Sequence, residues 1–197
     1  YAAKHRGIGP VLILIIALAV GLKPTLELFP GVAGSVYGLG VTGLSGLVAS
    51  AAVGATISAV WLAQRGTVVG MTSIVVSALA LGAVSLFAFT ATKFFTFGLC
   101  CTFFIGAAIV IGGTGTQTLM QNAVDGAMRG RVMSLYGMVY RGGPAIGALV
   151  MGSAAELIGF QAALACGGVL CSAVFLWILR QRKTMIQNLE GNPDKTL

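Results

Sequence analysis

The sequence predicts an all-α, polytopic membrane protein of six transmembrane helices, and three observations carry the prediction. First, 57% of the 197 residues are apolar and 9% are charged, with a mean hydropathy of +0.95, which leaves too little polar surface for a soluble domain. Second, charges are so sparse that uncharged runs are easily measured: none falls between Glu27 and Arg65, Arg65 and Lys93, Lys93 and Asp125, or Glu156 and Arg180. Each run holds the roughly 20 residues that a crossing helix needs. Third, these runs lack the alternation of a barrel strand, and an open sheet would leave backbone groups unpaired in lipid, so helices remain.

In chain order, the spans are expected at about 8–29, 36–62, 67–91, 94–118, 132–157 and 160–179. The first carries Lys23 and Glu27 within it, and the fifth carries Arg141. Pro30-Gly31, Gln64-Arg65-Gly66, Thr90 to Lys93, Asp125-Gly126 and Ile158-Gly159 separate the apolar runs, and such short turns make neighbouring spans antiparallel. Residues 1–179 form one transmembrane domain, with 180–197 as a cytoplasmic C-terminal tail.

Lys4, Arg6, Arg65, Arg129, Arg131, Arg180, Arg182, Lys183 and Lys195 fall at the ends and loops of one side, against Lys93 on the other. Cytoplasmic loops collect Lys and Arg, so both termini are expected inside the cell membrane. That topology accounts for the net charge of +7 and requires no nucleic-acid partner. Lys4-His5-Arg6 precedes a run too long for a signal peptide, and five more spans follow it. The chain begins at Tyr1 without Met, as expected of a processed chain, a truncation or a piece of a longer polypeptide.

Cys100, Cys101, Cys166 and Cys171 lie within spans, without CxxC spacing or a neighbouring histidine, and read as small core residues. No cofactor or metal is called for. Gly38 to Gly43 matches GxGxxG, yet no strand precedes it, and among 29 glycines the match is chance.

Helices in lipid associate through small residues that let backbones approach. Gly34, Gly38, Thr42, Gly46, Ser50, Gly54 and Ser58 recur every four residues and form a ridge on the second span. The fifth span carries Gly137, Gly142, Gly143, Gly147 and Gly152 with Pro144 among them, the composition of a kinked, moving helix. Similar glycines also serve plain packing.

Arg141 is the strongest functional pointer, because a charge near the bilayer centre must face a cavity or a partner. It lies ten residues beyond Arg131, which is roughly 15 Å along a helix and near the midplane, where transporter sites lie. Its helical neighbours Ser134, Gly137, Met138, Ala145 and Ala148 are mostly small, leaving room for a substrate carboxylate or phosphate. The alternative is a structural pair with a carboxylate such as Glu27. Lys23 and Glu27 share a face four residues apart, with Pro24 between them, and read either as a gate or coupling pair or as charges reaching water. Thr114, Gln117, Thr118, Gln121 and Asn122 make a polar stretch that lipid would not tolerate, lining a pathway or bonding neighbouring helices.

Asp125, the run Arg129-Gly130-Arg131-Val132-Met133-Ser134-Leu135-Tyr136, and Gly143-Pro144 through Gly147 resemble the loop before helix eleven, and that helix, in major facilitator superfamily transporters. The likeness is to the drug and siderophore exporters, the branch that includes the enterobactin exporter. Leu62-Ala63-Gln64-Arg65-Gly66 is similar to the family's cytoplasmic loop signature, with Gln64 where an acid is usual. The resemblance implies a C-terminal half built as two inverted three-helix repeats, with a substrate cavity shared with another half or a second copy of the chain. It further implies ion-driven alternating access that exports a small hydrophobic or siderophore-like compound, with Asp125, Arg129, Arg131 and Arg65 gating at the cytoplasmic side. A non-transporting anchor subunit is the competing reading. An intramembrane enzyme fares worse: the sole histidine is His5, and neither GxSxG nor HExxH occurs.

Overall fold

The structure, a computed structural model, describes residues 8–124 and 126–190, and every described element is helical. Proline and glycine decide where the elements begin, bend and end. The first span is assembled from four pieces: α1 (Ile8–Ala17), a π-helical turn (Leu18–Leu22), α2 (Pro24–Glu27) and α3 (Phe29–Ser35). The wide turn closes with the Lys23 N–H donating to the Leu18 carbonyl at 2.9 Å, five residues back, immediately before a proline that has no N–H to give. Pro30 stands in the first turn of α3, where a helix needs no amide donor, so the chain stays helical beyond the break expected there.

α4 (Gly40–Arg65) starts four residues later than the sequence suggested. Gly38 and Gly40 adopt φ of 65° and 53°, a left-handed conformation that glycine alone takes readily, and they turn the chain before the helix forms. The remaining elements are α5 (Met71–Ala91), α6 (Phe95–Ala123), α7 (Gly126–Ile158) and α8 (Phe160–Leu189). α8 runs on past Arg180, because Ile178, Met185 and Leu189 continue one buried helical face.

Among the described residues, five helical stretches are long and apolar enough to cross a membrane: Ile8–Glu27, Gly40–Arg65, Met71–Ala91, Phe95–Ala123 and Phe160–Arg182. α7, which holds the fifth expected span, has 33 residues and so a length of about 50 Å. Its arginines, glycines and proline lower its hydropathy and keep it out of that set. With the family evidence given below, this architecture is that of an all-α polytopic membrane protein.

α6 lies against α4 on one side and α5 on the other, and α5 continues onto α8. The first span packs on α7 and α8 and presses Leu18 and Leu22 into notches at Gly112 of α6 and Gly82 of α5. The small-residue ridge is real but shorter than expected: Gly34 belongs to α3 and Gly38 to the turn, so its working part runs from Gly46 to Ser58. Gly54 lies against the Phe103 carbonyl, Gly106 lies against the Ala51 carbonyl, and the Ser50 hydroxyl donates to the Leu99 carbonyl at 2.6 Å. Backbone is thus laid on backbone, the contact that small residues make possible in lipid.

At one end of the bundle, hereafter the basic end, the junctions α4–α5 and α6–α7 meet the tip of α8. Asn122 Nδ2 donates to the Leu189 carbonyl at 3.2 Å, and Arg182 donates to the Ser73 hydroxyl at 2.8 Å. Glu190 accepts from the Gly70 and Thr72 N–H groups at 2.6 and 2.7 Å, which caps the first turn of α5 with a carboxylate. At the opposite end, Tyr37 packs on Phe89 and Phe95.

Candidate functional site

The first span crosses α7 at the level at which both are interrupted, and of the residues singled out in the sequence Lys23 lies in that crossing. Pro144 lies inside α7. Having no N–H, it cannot donate to the Tyr140 carbonyl four residues back. Lys23 supplies the donor: its Nζ lies 3.1 Å from that carbonyl oxygen and 3.7 Å from the centre of the Tyr140 ring. A hydrogen bond from a charged group contributes about 1.5–3 kcal/mol, and the ring face adds a cation–π attraction. The Tyr140 ring is stacked on Tyr136 at 5.6 Å, and the Tyr136 hydroxyl donates to the Gly113 carbonyl at 2.7 Å. Gly113 has no side chain to occupy the space taken by the Tyr140 hydroxyl. Thr116 returns its own hydroxyl to Gly112 at 2.7 Å, so this part of α6 meets α7 with its polar groups satisfied.

Backbone proximity fixes the crossing further along. Gly143 lies against Ala19, and Gly147 lies against Pro24 and the Val20 carbonyl. Gly21 and Gly167 bring the first span equally close to α8, where the Cys171 thiol donates to the Ala17 carbonyl at 3.5 Å.

Arg141 follows Tyr140 directly but points the other way. It is exposed, in company with Ser134, Met138 and Ala145 on the α7 face that no other helix covers, and no hydrogen bond or ion pair holds its guanidinium among the described residues. Lys23 and Glu27 are not joined: Lys23 is half-buried on Tyr140, while Glu27 is exposed. Leu26 and Phe29, on either side of Glu27, instead help to line an apolar groove of about 270 Å³ between α4 and α6.

The polar stretch of α6 behaves as two neighbouring cavities toward the basic end. Thr114 and Thr118 line one of about 300 Å³ together with Leu62, Gly66 and Thr67 from the end of α4. Thr118, Gln121, Asn122, Arg129 and Met133 line the other, of about 500 Å³. Gln117 is exposed on the same helix. Arg65 is spent locally, donating to the Val69 carbonyl at 3.0 Å across the turn that follows α4, and Arg131 is exposed. Asp125 lies outside the described residues. All four cysteines are free thiols, Cys101 and Cys171 buried, Cys100 and Cys166 exposed.

Tyr136, Tyr140 and Gly113 complete the crossing although none of them carries a charge that would single it out in the sequence. For Tyr140 a signal existed: the residue four before an intrahelical proline owns a carbonyl short of a donor.

No curated protein and no solved structure matches the chain significantly. A family model described as transmembrane secretion effector matches residues 1–196. Proline-broken, glycine-lined helices that cross at a half-buried lysine suit a protein that passes solutes through a membrane. The chain therefore belongs to the transmembrane secretion effector family of the major facilitator superfamily, and it is a membrane transport protein.

Proposed function

We propose that the chain works as one six-helix half of a secondary transporter in the cell's inner membrane. In this reading the basic end and both termini are cytoplasmic, and the half faces a second six-helix unit across a shared cavity. The partner unit is either the other half of a longer polypeptide or a second copy of this chain. The cargo is a small hydrophobic or siderophore-like compound, exported by alternating access at the expense of an ion gradient.

The observation that carries this reading is Arg141, exposed on an uncovered face of α7 about halfway along a helix that this reading places across the bilayer. A guanidinium cannot be left facing hydrocarbon, so that face looks into a cavity, and a planar donor there suits a carboxylate, phosphate or similar anionic group on the cargo. Lys23 of the first span holds a second positive charge at the same level on the covered side of α7, and Glu27 lies one helical turn from it. Thr114 and Gln117 line the route toward the basic end, where Arg129, Arg131, Arg65 and Asp125 act as gating residues.

The test is transport of candidate exported compounds in membranes carrying the intact native protein, with Arg141→Ala and Arg141→Lys. Loss of transport in Arg141→Ala, with normal membrane levels and partial recovery in Arg141→Lys, supports the assignment. Unchanged transport overturns it. The intact mass of the native polypeptide separates the two partner arrangements, near twice 20.0 kDa for a longer transporter and near 20.0 kDa for a paired half.

A further inference from the structure

We infer that Lys23 is the clasp of the α7 proline hinge, a positioning residue that works by supplying the hydrogen bond Pro144 cannot. Three observations meet at one point. Pro144 removes the amide donor that the Tyr140 carbonyl would otherwise have inside α7. The Lys23 ammonium lies at 3.1 Å from that carbonyl. The first span carries its own interruption beside Lys23, a π-helical turn ending at Leu22 and a proline at residue 24.

The surroundings fit a clasp better than a fixed weld. The ammonium rests on the Tyr140 ring at 3.7 Å, a contact that tolerates small displacements, unlike a close-packed side chain. Glycines on either side of the proline, Gly143 against Ala19 and Gly147 against Pro24 and the Val20 carbonyl, bring the two helices close without interlocking side chains from α7. Bending α7 about Pro144 moves the Tyr140 carbonyl relative to the first span, and the ammonium must let go or follow. Glu27 lies one helical turn from Lys23 and is exposed, so the released ammonium has an acceptor on its own helix. Lys23 thereby sets how readily α7 bends. That this bending belongs to a transport cycle rests on the reading above. The clasp itself does not, because its test requires no substrate.

The test uses the full chain, purified in detergent, as a double-mutant cycle between Lys23→Met and Pro144→Ala. Alanine at 144 restores an N–H that donates to the Tyr140 carbonyl, so the lysine is no longer needed there. Two readouts are followed: thermal unfolding by tryptophan fluorescence, and the distance between spin labels at Ser134→Cys and Ser153→Cys. Those positions are exposed on α7 on opposite sides of the proline; Cys100 and Cys166 are replaced by serine in the labelled chain.

Lys23→Met alone is expected to lower Tm by about 4 °C and to broaden the label distance distribution. In the Pro144→Ala background the same substitution should move Tm by no more than about 1 °C and leave the distribution narrow. Lys23→Arg should preserve most of the native behaviour. Equal effects of Lys23→Met in both backgrounds, or a narrow distribution in Lys23→Met alone, would overturn the proposal. If Lys23→Met fails to fold alone, the proposal requires the double variant to fold, and its failure to do so counts equally against it. Transport loss in Arg141→Ala with no coupling in this cycle would retain the transporter reading and discard the clasp.

Discussion

The seam between α4 and α6 and the crossing between the first span and α7 are built from the same small residues, yet they are made for opposite purposes. Along α4 and α6 both helices are regular, and Gly54 and Gly106 let each backbone seat a carbonyl of the other. No proline interrupts α4 or α6, so every turn keeps its own hydrogen bonds and the contact is a rigid seam. Between the first span and α7, Gly143 and Gly147 perform the same close approach, but Pro24 and Pro144 remove amide donors on the two sides. The deficit in α7 is met from outside that helix by Lys23. Glycine alone therefore says that two helices touch; only the hydrogen-bond ledger of each helix says whether they can move.

The comparison is broken most directly at Gly54. A valine there would thrust its Cβ into the Phe103 carbonyl, with no flexible side chain able to yield, and Gly54→Val should destabilise the chain by about 3 kcal/mol or prevent its accumulation in membranes. Retained expression with a native melting curve would mean that the α4–α6 seam is looser than its geometry implies.

A smaller effect is expected at Glu190. If α4, α5, α6 and the end of α8 form one rigid body, losing the cap should weaken that body without altering α7. Glu190→Ala should cost about 1–2 kcal/mol and speed amide exchange in the first turn of α5, while labels at positions 134 and 153 keep their native separation. A change in that separation would show that the two sides are coupled through the basic end.

The smallest effect sharpens the distinction between glycines that touch and glycines that do not. Gly137 of α7 has nothing within 4 Å of where a Cβ would stand, so Gly137→Ala should be neutral or stabilise by about 0.5 kcal/mol, read in the same melting experiment. A marked loss would point to a partner surface on that face.

How much of this was legible beforehand follows from what each feature depends on. Helix class and approximate bounds were readable because they follow from hydropathy and the position of charges, both local properties. The start of α4 was misplaced because apolar runs do not report the handedness that Gly38 and Gly40 adopt. The helical continuation past Arg180 carried a signal in the spacing of Ile178, Met185 and Leu189, masked by the polar residues between them. Lys23 and Arg141 were singled out by the cost of burying charge; the structure brings Lys23 into the crossing and leaves Arg141 exposed on the other side of α7. Lys23 was matched to Glu27, its sequence neighbour, because nothing local announces a carbonyl 117 residues away. The tyrosine stack and the Glu190 cap were hidden for the same reason.

The cap has one more consequence, for the order in which the protein is completed. Glu190 is synthesised 120 residues after Gly70, and at cellular elongation rates that interval is on the order of ten seconds. Throughout it the first turn of α5 has two amide groups that lack their final acceptor, while α5 and then α6 are made. The described bundle is thus closed by the tip of its last described helix, and until that tip is made the two amide groups that open α5 have no carboxylate to receive them.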